Sequence, residues 1–79
     1  MNKFSWSEEY CSYTYLRTKS SRFHVSIERH DAFCDAVILN MNNDMPFTNP
    51  VYRETFYGKK SFYDAKLELE KRAEVLGYL

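Results

Sequence analysis

From Phe23 to Glu28 the chain alternates without a break: Phe23, Val25 and Ile27 fall on one side, His24, Ser26 and Glu28 on the other. Successive side chains of a strand point to opposite faces, so a period of two with one apolar side predicts a half-buried strand. Residues 10–17, "YCSYTYLR", are rich in the tyrosine and threonine that suit a pleated surface and predict a strand before it. Its tyrosines fall on both faces, which leaves its core side open. Residues 33–40, "FCDAVILN", are long enough for a strand and too short for an independent helix, and predict a third strand. The polar pieces "TKSSR" and "HDA" between these runs serve as turns, so the three make an antiparallel meander.

"MNNDMPFTNP", residues 41–50, holds two prolines and four Asn or Asp side chains and reads as a long loop. "VYRETFY" after it is a short fourth strand or an extended lead into a helix. Beyond Gly58 the period changes to three and four: Phe62, Ala65, Leu69, Ala73 and Leu76 form one apolar stripe. Ser61, with Asp64 three residues on, is the candidate N-cap. Glu68 and Arg72 are spaced to pair across one turn, and Gly77 is placed to end the helix in a left-handed residue. Leu67 and Val75 lie off the stripe. The expected fold is a single α+β domain over residues 1–79. It has a three- to four-stranded antiparallel meander with one C-terminal helix packed on one face. One helix covers one face, which leaves the other to solvent or to a partner.

Composition narrows the function classes more than it names one. A chain of 79 residues buries roughly 60% of its unfolded surface and has material for one core. Eleven basic and eleven acidic residues cancel, which removes the long-range field that draws small proteins to nucleic acid or anionic membranes. No run approaches the roughly 18 apolar residues of a membrane span, and "MNKFSWSEEY" has no signal-peptide core, so a cytoplasmic protein without membrane association is expected. In that compartment Cys11 and Cys34 are expected as free buried thiols.

Three candidate chemistries are offered by residue type and fail, two on spacing and one on the size of the domain. Gly58-Lys59-Lys60-Ser61 resembles the end of a phosphate-binding loop, but such a loop needs an earlier glycine, and Gly58 and Gly77 are the only two in the chain. His24, His30, Cys34 and Cys11 are zinc-ligand types without paired spacing, and alternation turns His24 to solvent, so no metal and no cofactor is expected. Cys34, His30 and Asp31 supply nucleophile, base and acid types, but a domain this small rarely encloses a deep cleft, and an enzyme is not expected.

Two binding classes remain. Arg17, Lys19, Arg22, Lys59 and Lys60, with Tyr13 and Tyr15 for stacking, could engage nucleic acid through the sheet, although acidic residues are interspersed. In element order the chain resembles the arm-binding domains of phage integrases and the ethylene-response DNA-binding domains of plants. The second class is protein binding. Aromatic residues make up 18% of the chain, more than one small core encloses, and tyrosine, tryptophan and arginine supply most interface energy. The expected partner-binding residues are Trp6, Tyr13, Tyr15, Arg17, Tyr52, Tyr57, Lys59 and Lys60. An edge strand offers a further route, to a partner's sheet or to a homodimer.

In size, charge mixing and strand-helix order, the whole chain resembles the small single-domain phage proteins that disable host defences, anti-CRISPR proteins among them. That resemblance implies a stoichiometric inhibitor that blocks a surface on a host protein or nucleoprotein complex, without catalysis. The neutral net charge departs from the acidic members that mimic DNA.

Overall fold

The computed structural model describes residues 4–78, so both ends of the expected 1–79 domain fall outside the described residues. Four strands, β1 (Tyr13–Leu16), β2 (Phe23–Arg29), β3 (Phe33–Asn40) and β4 (Tyr52–Tyr57), pair antiparallel in sequence order. The helix α1 (Ser61–Val75) crosses one face of this open sheet and packs chiefly on β3. The architecture is the expected two-layer α+β meander, and "VYRETFY" contributes a true fourth strand.

The pattern that predicts the strands also builds the core. Thr14 and Leu16, Val25 and Ile27, and Cys34, Ala36 and Ile38 are paired in register and share the helix-facing side. Against them lie Ala65, Leu69 and Ala73 of the helix stripe, all fully buried. Three alanines, Ala36 included, leave little side chain between the layers, so the helix backbone comes close to the sheet. At the stripe's ends the expectation is corrected: Phe62 is half-buried and Leu76 is 47% exposed. Leu76 is the C-cap, where the chain leaves the helix. Gly77, at φ +77°, then reverses it so that the amides of Gly77 and Tyr78 donate to Glu74 and Ala73.

Three further expectations change. The first strand begins at Tyr13, not Tyr10, because Cys11 and Ser12 both have positive φ and fold Tyr10 back onto Tyr13. Cys11 is therefore exposed on a tight turn, and only Cys34 is a buried thiol. At the helix start Lys60 occupies the N-cap with no side-chain capping bond, and Ser61 is the first helical residue. Its hydroxyl is buried 3.4 Å from Cys34 Sγ, which ties β3 to the helix.

The two sheet edges differ. The register and the bonds of the flanking turns send the N–H and C=O groups of Tyr13, Tyr15 and Arg17 away from β2. The preceding segment meets them. Tyr10 exchanges two hydrogen bonds with Tyr13, the Ser7 amide donates to Tyr15 O, the Tyr15 amide donates to Ser7 Oγ, and the Arg17 amide donates to Ser5 O. Trp6, bridged to Leu16, anchors this segment by donating from Nε1 to Glu70 Oε2 at 2.7 Å. The β1 edge is thus sealed, while β4 ends the sheet on the other side.

Candidate functional site

Alternation sends a second set of side chains to the helix-free face, and the register arranges them in rows across the sheet. Tyr13, Glu28, Asp35 and Thr55 form one row, Tyr15, Ser26, Val37 and Arg53 the next, and His24 with Leu39 a third. The loop after β3 folds over this third row. Leu39 is only 4% exposed and Ser26 only 2%, although both point away from the helix. The face expected to be left to solvent or a partner is therefore partly roofed by its own chain.

Between the loop and the strands lies a recess of about 230 Å³. Ser26, Val37 and Leu39 line its base, Phe47 and Pro50 come from the loop, and Tyr13, His24, Glu28, Asp35 and Arg53 complete its walls. Phe47, on the lip, is 73% exposed. A small-molecule site usually offers roughly 300–1,000 Å³, so this recess suits a single side chain better than a metabolite.

Its polar groups are oriented. Thr55 Oγ1 donates to Asp35 Oδ1 at 2.6 Å. The Glu28 carboxylate, through hydrogen bonding first and charge second, raises the pKa of the Tyr13 hydroxyl and keeps it protonated. His24, half-buried with its ring 4.8 Å from that of Tyr15, has its pKa lowered by burial and favours the neutral form. This corrects the expected solvent-exposed imidazole. Among the described residues Arg53 has no ion-pair partner, so it offers a cation in the row next to the acidic one.

His30 sits one cross-strand pair beyond the acidic row, its ring stacked on Phe33 at 4.4 Å. Its Nε2 lies 3.2 Å from Glu28 Oε1 and 3.8 Å from Asp35 Oδ2. These three ligand-type atoms fall within 4.8 Å of one another, and they are the residues placed to share a cation. The zinc-ligand types weighed in the sequence do not come together: Cys34 faces the helix, Cys11 is on an exposed turn, and His24 lies three rows from His30 along the free face. As nucleophile and base, Cys34 and His30 are divided by the sheet itself, Cys34 on the helix side and His30 on the free face.

The residues expected to bind a partner divide between the two faces. Tyr13 and Tyr15 stand on the free face, and Tyr57 is on that side at its far end, 75% exposed beside Phe33. Trp6 and Tyr52 pack on the helix side. Tyr52 lies under the Arg72 guanidinium at 3.9 Å and donates to Glu54 Oε1, and burial with that bond raises its hydroxyl pKa. The basic residues divide as well. Lys59 and Lys60 flank the helix start, whereas Arg17, Lys19 and Arg22 lie at the other end of the strands, where the Lys19 amide donates to Tyr78 O. Eight strand residues separate these ends, about 23 Å at the usual rise.

Sequence reasoning missed Glu28, Asp35, Arg53 and above all Phe47. The available signal was an aromatic ring inside a loop of turn-forming residues, where no core position called for it. No helix among the described residues is long and apolar enough to cross a membrane. A scan against protein-family models and searches of curated proteins and of solved structures each returned no match to this chain.

Proposed function

We propose that this chain is a non-enzymatic protein-binding module, an inhibitor or adaptor that acts in the cytoplasm, and that its contact surface is the helix-free sheet face around the recess. The observation that carries this reading is the recess itself. It joins an exposed aromatic lip, Phe47, to a largely apolar base, with the Glu28 and Asp35 carboxylates and the free Arg53 in its walls. Interfaces draw their energy from a few such positions, where an anchor side chain enters a desolvated pocket and charges at the rim set orientation. The resemblance to phage inhibitors of host defence makes a surface on a host protein or nucleoprotein complex the expected target.

Direct nucleic-acid binding has less to stand on, because the basic residues lie at opposite ends of the sheet and the recess carries two carboxylates. A partner recovered from host lysate, purified and titrated calorimetrically, tests the reading. Phe47→Asp and Arg53→Glu should each weaken binding by at least about tenfold, or roughly 1.4 kcal/mol, with an unchanged melting temperature. Equal affinity of both variants would place the contact elsewhere. Retention on duplex DNA that falls steeply with salt would favour the nucleic-acid reading instead.

A further inference from the structure

The β4 edge, unpaired among the described residues, carries an inference that shares only Arg53 with the recess. In the β2–β3 hairpin the His30 amide donates to Phe33 O, and beyond its other end the Met41 amide donates to Arg22 O. Antiparallel pairs alternate between bonded and unbonded, so these fix Glu28/Asp35, Ser26/Val37 and His24/Leu39 as the bonded pairs. Cys34, Ala36 and Ile38 then turn their backbone groups to Phe56, Glu54 and Tyr52. The Val51 amide, which donates to Ile38 O, agrees. What remains on β4 is an outward row of N–H and C=O groups at Arg53, Thr55 and Tyr57.

We infer that two copies of this chain pair β4 against β4, antiparallel about a two-fold axis at Thr55, to make one continuous eight-stranded sheet. The register follows from the side chains. Residues directly opposite in an antiparallel pair share a face, so the sum of their numbers must be even for a symmetric pairing of β4. A centre at Arg53 or at Glu54 sets identical charges directly opposite, which is unfavourable. A centre at Phe56 or Tyr57 overlaps only the end of the strand. The centre at Thr55 uses the whole outward row: Arg53 bonds Tyr57 of the second copy, Thr55 bonds Thr55, and Tyr57 bonds Arg53.

The facing side chains are then compatible. Arg53 lies across from an exposed tyrosine ring on the free face, a cation–π pairing, Thr55 meets Thr55, and Glu54 meets Phe56 rather than another acid. The sealed β1 edge offers no competing site, so pairing closes at the dimer and does not propagate into a filament.

Sedimentation equilibrium of the isolated chain up to about 1 mM tests this without any partner protein. The expected result is a reversible monomer–dimer equilibrium ending at twice 9.5 kDa. Tyr57→Arg sets two arginines opposite each other and should weaken the dimer at least about tenfold, and adding Arg53→Glu to it should restore the dimer through opposite charges. Both positions are exposed, so neither variant threatens folding. A monomer at every concentration overturns the inference, as does a dimer that Tyr57→Arg leaves unchanged or that the double variant fails to restore. Phe47→Asp lies off the β4 edge, so its failure to affect partner binding would leave the dimer result intact, and the two readings fail separately.

Discussion

Trp6 Nε1 donates to Glu70 Oε2 at 2.7 Å, joining the segment that seals the first strand to the middle of the only helix among the described residues. Trp6 also packs against the core, and Lys66 Nζ lies 5.6 Å from its ring. The residue is therefore a staple between layers. Trp6→Phe keeps most of the apolar contact and removes the bond to a carboxylate, which should cost about 1–2 kcal/mol. For a domain of this size that corresponds to a fall in Tm on the order of 5–15 °C. Thermal melts of Trp6→Phe and of Glu70→Ala should show similar losses. A melting curve unchanged by Trp6→Phe would return the tryptophan to the binding surface the sequence suggested.

Thr14 presents the opposite case. It is 2% exposed, faces the core between strands and helix, and its hydroxyl has no hydrogen-bond partner among the described residues. Leaving a buried hydroxyl unsatisfied costs about 1–3 kcal/mol, whereas valine has nearly the same shape and a high strand preference. Thr14→Val should raise the urea midpoint with no change in m-value. A lower midpoint would mean that the hydroxyl has a partner, such as a buried water.

The pH dependence of stability should carry the mark of His24. Burial lowers its folded pKa below the unfolded value of about 6.5, so the unfolded chain binds the proton more readily. Above that value the imidazole is neutral in both states and contributes no slope. As pH falls through about 6.5 the unfolded state gains protons first, and stability declines until the folded pKa is passed. Denaturant titrations from pH 8 to pH 5 should show this decline. His24→Gln should flatten it. A variant with the same slope as the parent would assign the effect to another group.

How much of this was legible depended on whether a local pattern had a competitor. Phe33–Asn40 has the bounds expected for it, because a mainly apolar segment of eight residues between two turn-rich segments has the length of a strand and is too short for an independent helix. The first strand lost its opening residues to Cys11 and Ser12, whose positive φ values carry no glycine or Asn-Gly signal in the sequence. The site was less legible than the fold. Its rows depend on cross-strand register, and its roof depends on where the 41–51 loop turns, which no residue of the loop specifies alone. Tyr13 and Tyr52 look alike in the chain, yet one lines the recess and the other lies beneath Arg72 on the helix side.

The start of the helix separates two roles that the sequence merges. If Ser61 capped the helix, Ser61→Ala would cost about 1 kcal/mol. In the structure its hydroxyl meets only Cys34 Sγ at 3.4 Å, a weak partner, and Lys60 holds the cap position with a cation at the positive end of the helix dipole. Ser61→Ala should therefore cost less than a cap is worth. Lys60→Asp reverses the charge at the dipole and should stabilise by about 0.3–1 kcal/mol at low salt, with the gain shrinking as salt is added. Chemical denaturation of both variants at two ionic strengths distinguishes the roles. A full loss of about 1 kcal/mol in Ser61→Ala, with no salt-dependent gain in Lys60→Asp, would restore Ser61 as the cap.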